Sequence, residues 1–140
     1  MKSITILFST FFCFSVAAQE LVKDINTQPG GLNFPCYPCG NLVYTLIEND
    51  LGRELWKTDG TMEGTSIVRD LYPGQESGAS GGLQCINDRI FMTGRDSGFE
   101  SKLFSSDGNE IVKEADVVTR FFAGFQDKIA IVTANQLWIK

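Results

Sequence analysis

The apolar residues of this chain fall in short runs that are rich in Val, Ile, Leu, Phe, Tyr and Thr, and turn-forming residues separate the runs. Side chains of these types suit the pleated, half-buried surface of a β-sheet. After the first 18 residues, no stretch shows a helical period sustained over about ten residues. The pattern therefore predicts an all-β protein.

The middle of the chain shows how the pattern divides into elements. Predicted strands cover residues 83–87, 89–93, 102–105 and 110–114. Asn87-Asp88 predicts a tight turn, and Asp107-Gly108 accepts the positive φ angles of a two-residue hairpin turn, as does Asp59-Gly60. The Gly-, Ser- and Pro-rich stretches 26–33 and 72–82 predict loops between larger units.

Three sequence landmarks recur in the same order, which indicates an internal repeat of about 45 residues. The first landmark is VKDI at 22–25, VRDL at 68–71 and, more weakly, VKEA at 112–115. The second is LVYT at 42–45, IFMT at 90–93 and IAIV at 129–132. The third is ELWKTDG at 54–60, KLFSSDG at 102–108 and QLW at 136–138.

The motif ELWKTDGT at 54–61, followed by Gly64-Thr65 and by VRDLYPG at 68–74, resembles the ELWxxDGT repeat family of exported bacterial proteins, often of the Bacteroidetes type. The second unit departs from the motif, with KLFSSDG and with Asn109 in place of the Thr, and the third keeps only QLW. The residues that carry the motif are Glu54, Leu55, Trp56, Asp59, Gly60, Thr61, Leu103, Phe104, Asp107, Gly108, Leu137 and Trp138. The resemblance implies a β-propeller-like fold and a secreted or surface location, but no particular activity.

Four short antiparallel strands per unit match one propeller blade. The predicted blade units cover residues 34–71, 83–115 and 119–140. The third has strands at 119–125, 128–133 and 136–140 and lacks a fourth, which a strand at 20–25 could supply. Three blades are fewer than the four to eight that propellers usually have. The alternatives are a piece of a longer propeller, a homodimer of two chains joined through open blade edges into a six-bladed ring, and a β-sandwich.

The N-terminus predicts export. Met1-Lys2-Ser3 precedes an apolar run at 4–16 and then Ala17-Ala18-Gln19. This order is typical of a secretory signal peptide at 1–18, which leaves a β-repeat domain at 19–140. The apolar run is too short to cross a bilayer, and no other segment is predicted to cross one. The expected location is extracellular, at the cell surface or in the periplasm.

Charge and composition restrict the partners and the catalytic mechanisms that we expect. The formal net charge is −5 and the chain has no basic cluster, which argues against nucleic acid or an anionic membrane surface as a partner. The absence of histidine removes Ser-His-Asp and Cys-His catalysis and His-ligated metal sites. Carboxylate-only glycoside hydrolysis remains possible, but no pair of acids is distinguished by the repeat.

Cysteines 36, 39 and 85 are candidates for a structural disulfide, which an exported protein can form. Aligning Leu42 with Ile90 brings Cys85 beside Cys36, so a Cys36–Cys85 bridge between units is one possibility and a local Cys36–Cys39 bridge is another. Redox catalysis by the CxxC pair is disfavoured because no helix follows it. Three cysteines without histidine do not make a zinc site.

The remaining candidate residues have a structural interpretation that competes with a functional one. Trp56, Phe104 and Trp138 could form a stacking platform, but an aromatic at one repeat position favours packing between units. Calcium binding at Glu48-Asn49-Asp50 or Asp59-Gly60 is disfavoured because neither loop has a calcium-binding spacing. We therefore expect no catalytic residues, metal or cofactor. The expected function is a non-catalytic module that binds an unknown protein or glycan, and the alternative is part of a carboxylate-dependent carbohydrate-active propeller.

Overall fold

The computed structural model of the chain describes residues 21–25 and 35–140. Within residues 35–140 the backbone forms eleven strands and no helix, so the predicted all-β class is confirmed. The strands are β1 (Tyr37–Cys39), β2 (Leu42–Asn49), β3 (Gly52–Thr58), β4 (Ser66–Arg69), β5 (Ala79–Ile86), β6 (Arg89–Gly94), β7 (Lys102–Ser106), β8 (Ile111–Ala115), β9 (Phe121–Phe125), β10 (Lys128–Val132) and β11 (Leu137–Ile139).

The strands form three antiparallel sheets, each of which is continuous in sequence. The first sheet has the order β1-β2-β3-β4, the second β5-β6-β7-β8, and the third β11-β10-β9. The strands predicted in the second and third units are present, with ends displaced by up to a few residues.

Two N-terminal predictions have different outcomes. Residues 21–25 have no regular secondary structure, so the strand predicted at 20–25 is wrong over these residues. Instead of joining a sheet through its backbone, this segment makes a side-chain contact, from Lys23 Nζ to the Thr65 carbonyl at 2.8 Å. The predicted signal peptide lies outside the described residues. Among those residues, none belongs to a helix that is long and apolar enough to cross a membrane.

The two four-stranded sheets agree in the details of their pairing. Each has a register shift between a Leu and the following aromatic, Leu55/Trp56 in the first sheet and Leu103/Phe104 in the second. Val43 pairs with Thr58 as Ile90 pairs with Ser106, so Val43 is the structural equivalent of Ile90. The sequence alignment of Leu42 with Ile90 is therefore wrong by one residue. A shift of one residue reverses the faces to which all side chains of a strand point.

The turns follow local chemistry. Asn87 and Asp88 both have positive φ, +50° and +58°, which confirms the tight turn predicted between β5 and β6. The prediction of two-residue Asp-Gly hairpins is wrong, because the connections span 59–65 and 107–110 and only their glycines, Gly60 and Gly108, have positive φ. Each Asp keeps an ordinary φ and uses its carboxylate to hold the loop instead.

The three sheets are stacked through two apolar cores. The face that a sheet turns towards the next sheet in the chain is called its forward face here, and the opposite one its rear face. The first core joins the forward face of the first sheet to the rear face of the second through Cys39, Tyr44, Leu46, Leu55, Ile90, Met92, Phe104 and Ile111. The second core joins the forward face of the second sheet to the rear face of the third through Ile86, Phe91, Leu103, Ile129 and Ile131.

A disulfide bridges the first interface. Cys39 and Cys85 are bonded, with their Cα atoms 5.4 Å apart, while Cys36 is free and exposed. A bridge between units is therefore present, but both pairings considered from the sequence are wrong because they used Cys36. Cys39 ends β1 with its side chain in the first core, whereas Cys36 precedes the strand and lies outside that core. The one-residue misalignment of the units concealed this difference.

We expect the Cys39→Ala/Cys85→Ala variant to lose about 2–4 kcal/mol of unfolding free energy, because the bridge closes a long loop in the unfolded chain. The bonded residues are 46 positions apart. Urea denaturation of the oxidised protein measures the loss. Cys36→Ser is the matched control and should change stability by less than about 0.5 kcal/mol. Equal stability of all three proteins would show that the bridge does not hold the first two sheets together.

Candidate binding surface

The forward face of the third sheet is largely apolar and open to solvent, with the charged Lys128 opposite Phe125 at one end. Its exposed large side chains are Phe121 (71% exposed), Phe125 (69%), Val132 (37%), Leu137 (67%) and Ile139 (61%). Ala123 and Ala130 lie between them, since Ala130 pairs with both Ala123 and Ile139. Contiguous apolar surface of this kind is typical of a site where another macromolecule packs.

The equivalent faces of the other two sheets are covered. Leu137 corresponds to Leu55 and Leu103, and both of these leucines are fully buried. Phe125 ends the first strand of its sheet, as Cys39 and Ile86 do, and those two residues are also buried. In each case the next sheet provides the cover. The third sheet thus has the same type of forward face, but no other sheet among the described residues packs against it.

The alternation of β9 places its aromatics on opposite faces. Phe122 points to the rear, where its ring centroid lies 6.5 Å from that of Phe91 in the second sheet. Phe121 and Phe125 consequently point forward, because neighbouring side chains in a strand alternate. Gly124 is fixed from behind by its amide, which donates a 2.7 Å hydrogen bond to Gln84 Oε1. The rear contacts therefore set the orientation of the open face.

Among the described residues, no other sheet packs on the rear face of the first sheet. Val43, Ile47 and Trp56 are only partly buried and belong to neither apolar core. Trp56 holds the position that Phe104 has in the second sheet, where the ring is 2% exposed. Trp138 holds that position in the third sheet and is 46% exposed. Phe104 thus agrees with the packing interpretation, whereas the two tryptophans are less covered.

A cleft of about 200 Å³ between the first and second sheets contains Arg53 and Arg95. Arg53 bonds the Ser80 carbonyl and approaches Glu48 at 3.7 Å. Arg95 bonds the Ser77 carbonyl and Glu76, and its guanidinium lies 5.0 Å from the Tyr72 ring centroid. Both arginines are therefore held by acidic and backbone groups. Arg53 contacts β5, and Arg95 fastens the chain that connects β4 to β5.

A polar network joins the second and third sheets. The Ser105 hydroxyl accepts from Arg89 and donates to Glu114 Oε1 at 2.5 Å, and Lys140 Nζ donates to Glu114 Oε2 at 2.5 Å. Burial alone would raise the pKa of Glu114, but the hydrogen bonds from Lys140 and Ser105 lower it. Glu114 is therefore a charged tether between two sheets, and its stabilising effect is lost as the pH falls through its lowered pKa.

Glu54, the first residue of the ELW motif, is fully buried. Its carboxylate accepts the amide N–H groups of Leu71 at 3.1 Å and Gly78 at 2.8 Å. Burial raises the pKa of Glu54 above its ordinary value of 4.5, and these amide groups oppose the shift. The side chain therefore connects β3 to both ends of the loop that leads into the second sheet.

The acidic turn residues also have structural partners. Asp59 Oδ1 accepts the amide and hydroxyl of Thr61 at 2.9 and 2.7 Å, and Asp107 Oδ1 accepts the amides of Asn109 and Glu110 at 2.9 and 3.3 Å. These hydrogen bonds lower the pKa of both carboxyls. Among the described residues there is no group of three or more His, Cys, Asp or Glu side chains that could hold a metal ion.

The open face of the third sheet is the site that sequence reasoning missed. Its signal is the apolar residue at every second position of β9, together with Ala130 and Val132 in β10 and the apolar residues of β11. The same pattern also fits a covered sheet, so the sequence alone does not distinguish an open face from a buried one. Only the stacking order shows on which face no described sheet is packed.

No protein-family model, no curated protein and no solved structure matches this chain. The resemblance to the ELWxxDGT family therefore depends on the sequence motifs themselves.

We expect Glu54→Gln to lower the unfolding free energy by about 1–3 kcal/mol, because the amide nitrogen of Gln cannot accept one of the two backbone N–H groups. The loss should be larger near pH 4 than near pH 8. The folded state binds the Glu54 proton more tightly than the unfolded chain does, so wild-type stability falls as the pH rises through 4.5 towards the raised pKa.

Urea denaturation at the two pH values measures both effects. The matched control is Glu63→Gln, because Glu63 is exposed. A Glu54→Gln variant as stable as this control, at either pH, would contradict the structural role of the buried carboxylate.

Proposed function

We propose that this chain is an exported, non-catalytic repeat module of the ELWxxDGT, β-propeller type, and that it acts by binding a macromolecule through the forward face of its third sheet. The observation that carries the proposal is the open apolar face formed by Phe121, Phe125, Val132, Leu137 and Ile139. A protein exposes such a surface to water at a free-energy cost, and a partner that covers it removes that cost.

The arrangement of the sheets supports the propeller interpretation. Each sheet is a simple meander, and consecutive sheets pack face to face in chain order. Blades of a propeller are related in this way. The matching register shifts at Leu55/Trp56 and Leu103/Phe104 support equivalence of the first two units.

The disulfide supports export. Bonds of this kind form and persist mainly in oxidising compartments outside the cytosol. Cys39–Cys85 is an internal bridge between two packed sheets, which fits a structural role. It also agrees with the signal peptide predicted from the first 18 residues.

The contacts of the charged side chains favour binding over carboxylate catalysis. Glu54, Asp59, Asp107 and Glu114 each accept hydrogen bonds that fix a loop, a turn or a neighbouring sheet. A hydrolase of this type needs two carboxyls facing one substrate, with one of them free to give up a proton. The structural roles of these four carboxylates support the proposal that the module is non-catalytic.

Site-specific photocrosslinking tests the binding surface. A photoreactive phenylalanine analogue replaces Phe125 in one variant and Phe99 in another, and each protein is expressed and irradiated in cells. Phe99 is 93% exposed but lies outside the open face, so it serves as the matched control. We expect a discrete crosslinked product from position 125 and none from position 99.

Mass spectrometry of that product identifies the partner. A failure of position 125 to crosslink, or equal products from both positions, would contradict the proposal that the forward face of the third sheet is a binding surface.

A further inference from the structure

We infer that the partner of the open face is a second copy of this chain, docked head to tail, so that the forward face of the third sheet packs on the rear face of the first sheet of the other copy. This inference rests on the proposed function, because it names the macromolecule that the open face binds. Each chain presents an open forward face on its third sheet and a partly buried rear face on its first sheet. We treat these as the two halves of a repeated contact.

The two interfaces within the chain have a common pattern of contact. In the first, the last residue of β1 is bonded to the penultimate residue of β5, as the Cys39–Cys85 disulfide. In the second, Ile86, the last residue of β5, packs closely on Gly124, the penultimate residue of β9. The space is so tight that a Cβ atom at position 124 would lie only 2.7 Å from Ile86 Cδ1. The same contact therefore joins the first strands of consecutive sheets twice.

Extending this pattern once more defines the contact between copies. The last residue of β9 is Phe125, and the penultimate residue of β1 is Pro38. Both are exposed in the single chain. Phe125 of one copy should therefore contact Pro38 of the other, at the position where the disulfide lies in the first interface.

The rear face of the first sheet has side chains suited to this role. Val43 corresponds to Ile90 and Ile129, which fill the two existing interfaces from the rear. Trp56 corresponds to Phe104, which is buried in the first of them. A forward face docked there would meet the same apolar positions that the first and second sheets meet within the chain.

The number of sheets favours two copies. The described residues of two chains contribute six sheets, which lies within the usual range of four to eight blades, whereas those of one chain contribute three and those of three chains contribute nine. In a two-chain ring both of these faces are covered. Head-to-tail contacts that did not close would continue into a filament.

Mixing two charged variants tests the inference. Phe125→Glu places a carboxylate on the forward face of the third sheet, and Pro38→Lys places an ammonium group at its proposed contact on the rear face of the first. In a head-to-tail ring of either variant alone, each interface contains one introduced charge that no introduced charge of opposite sign faces. An equimolar mixture can form a ring with one wild-type interface and one interface in which the two introduced charges, of opposite sign, face each other.

Light scattering after size exclusion is the readout. We expect the wild-type protein to have the mass of two chains, each variant alone to have the mass of one chain, and the mixture to recover the mass of two. Phe99→Glu, at an exposed site away from both faces, should remain at two chains. Because Phe125 and Pro38 are exposed, both variants should fold, and the circular dichroism of each checks this. Leu137→Glu replaces Phe125→Glu if the latter does not fold.

Each other outcome overturns the inference. A wild-type protein with the mass of one chain would exclude a second copy as the partner. In that case, a photocrosslink from position 125 to a different protein would leave the proposed function intact. A Phe125→Glu variant that dissociates beside a Pro38→Lys variant that does not would indicate third sheets packed face to face. Failure of the mixture to recover two chains, with both variants folded, would likewise contradict head-to-tail docking.

Discussion

The structure depends on the packing of each sheet's forward face against the rear face of the next sheet. Sheets of three or four short strands need such a partner, because one sheet alone has nothing against which to bury its apolar side chains. The second sheet shows the result most clearly. Ile90, Phe91 and Met92 are consecutive in β6 and all three are buried, since neighbours cover both faces of this sheet. The stability of each sheet is therefore tied to that of the sheets beside it.

One position in the third strand contacts the connection to the next sheet in both four-stranded sheets. Glu54 accepts the amides of Leu71 and Gly78 and so fixes the chain between the first and second sheets. Lys102, its equivalent, donates to Asp116 at 2.6 Å just beyond β8, where the chain leaves for the third sheet. The side chain has changed sign, yet in both sheets it holds the segment that leads to the next one. This shared role accounts for the departure of the second unit from the ELW motif without loss of the stack.

Local pattern was enough to predict the strands of the second and third units, the tight turn at Asn87-Asp88 and the all-β class, because strand composition and turn chemistry act over a few residues. The alignment of the repeat units to the exact residue was harder to predict. Leu42 and Val43 are both apolar, so the sequence could not show which of them corresponds to Ile90. That single residue decided which face each side chain occupies, and with it whether Cys36 or Cys39 could reach Cys85. The prediction of two-residue Asp-Gly turns was wrong for a different reason. The Asp side chains accept the hydrogen bonds that hold these longer loops, in place of the backbone contacts of a two-residue turn.

The candidate site could not be predicted because exposure is a property of the stack and not of the strand. Leu137 occupies the same position as Leu55 and Leu103, and all three are leucines. Two are covered and one is open only because of their place in the order of sheets. The binding role proposed for the open face therefore rests on its equivalence to two surfaces that are already buried by the same kind of contact.

Hydroxyl-radical footprinting of the purified protein most directly tests whether a second copy covers the forward face of the third sheet, because it reports the solvent access of individual aromatic side chains. In the single chain, Phe121 and Phe125 are about as open as the loop residue Phe99, at 71%, 69% and 93% exposed. If a second copy covers the forward face of the third sheet, Phe121 and Phe125 should be oxidised several-fold more slowly than Phe99. Equal rates of oxidation at the three phenylalanines would contradict the account, because the open face would then remain uncovered in solution.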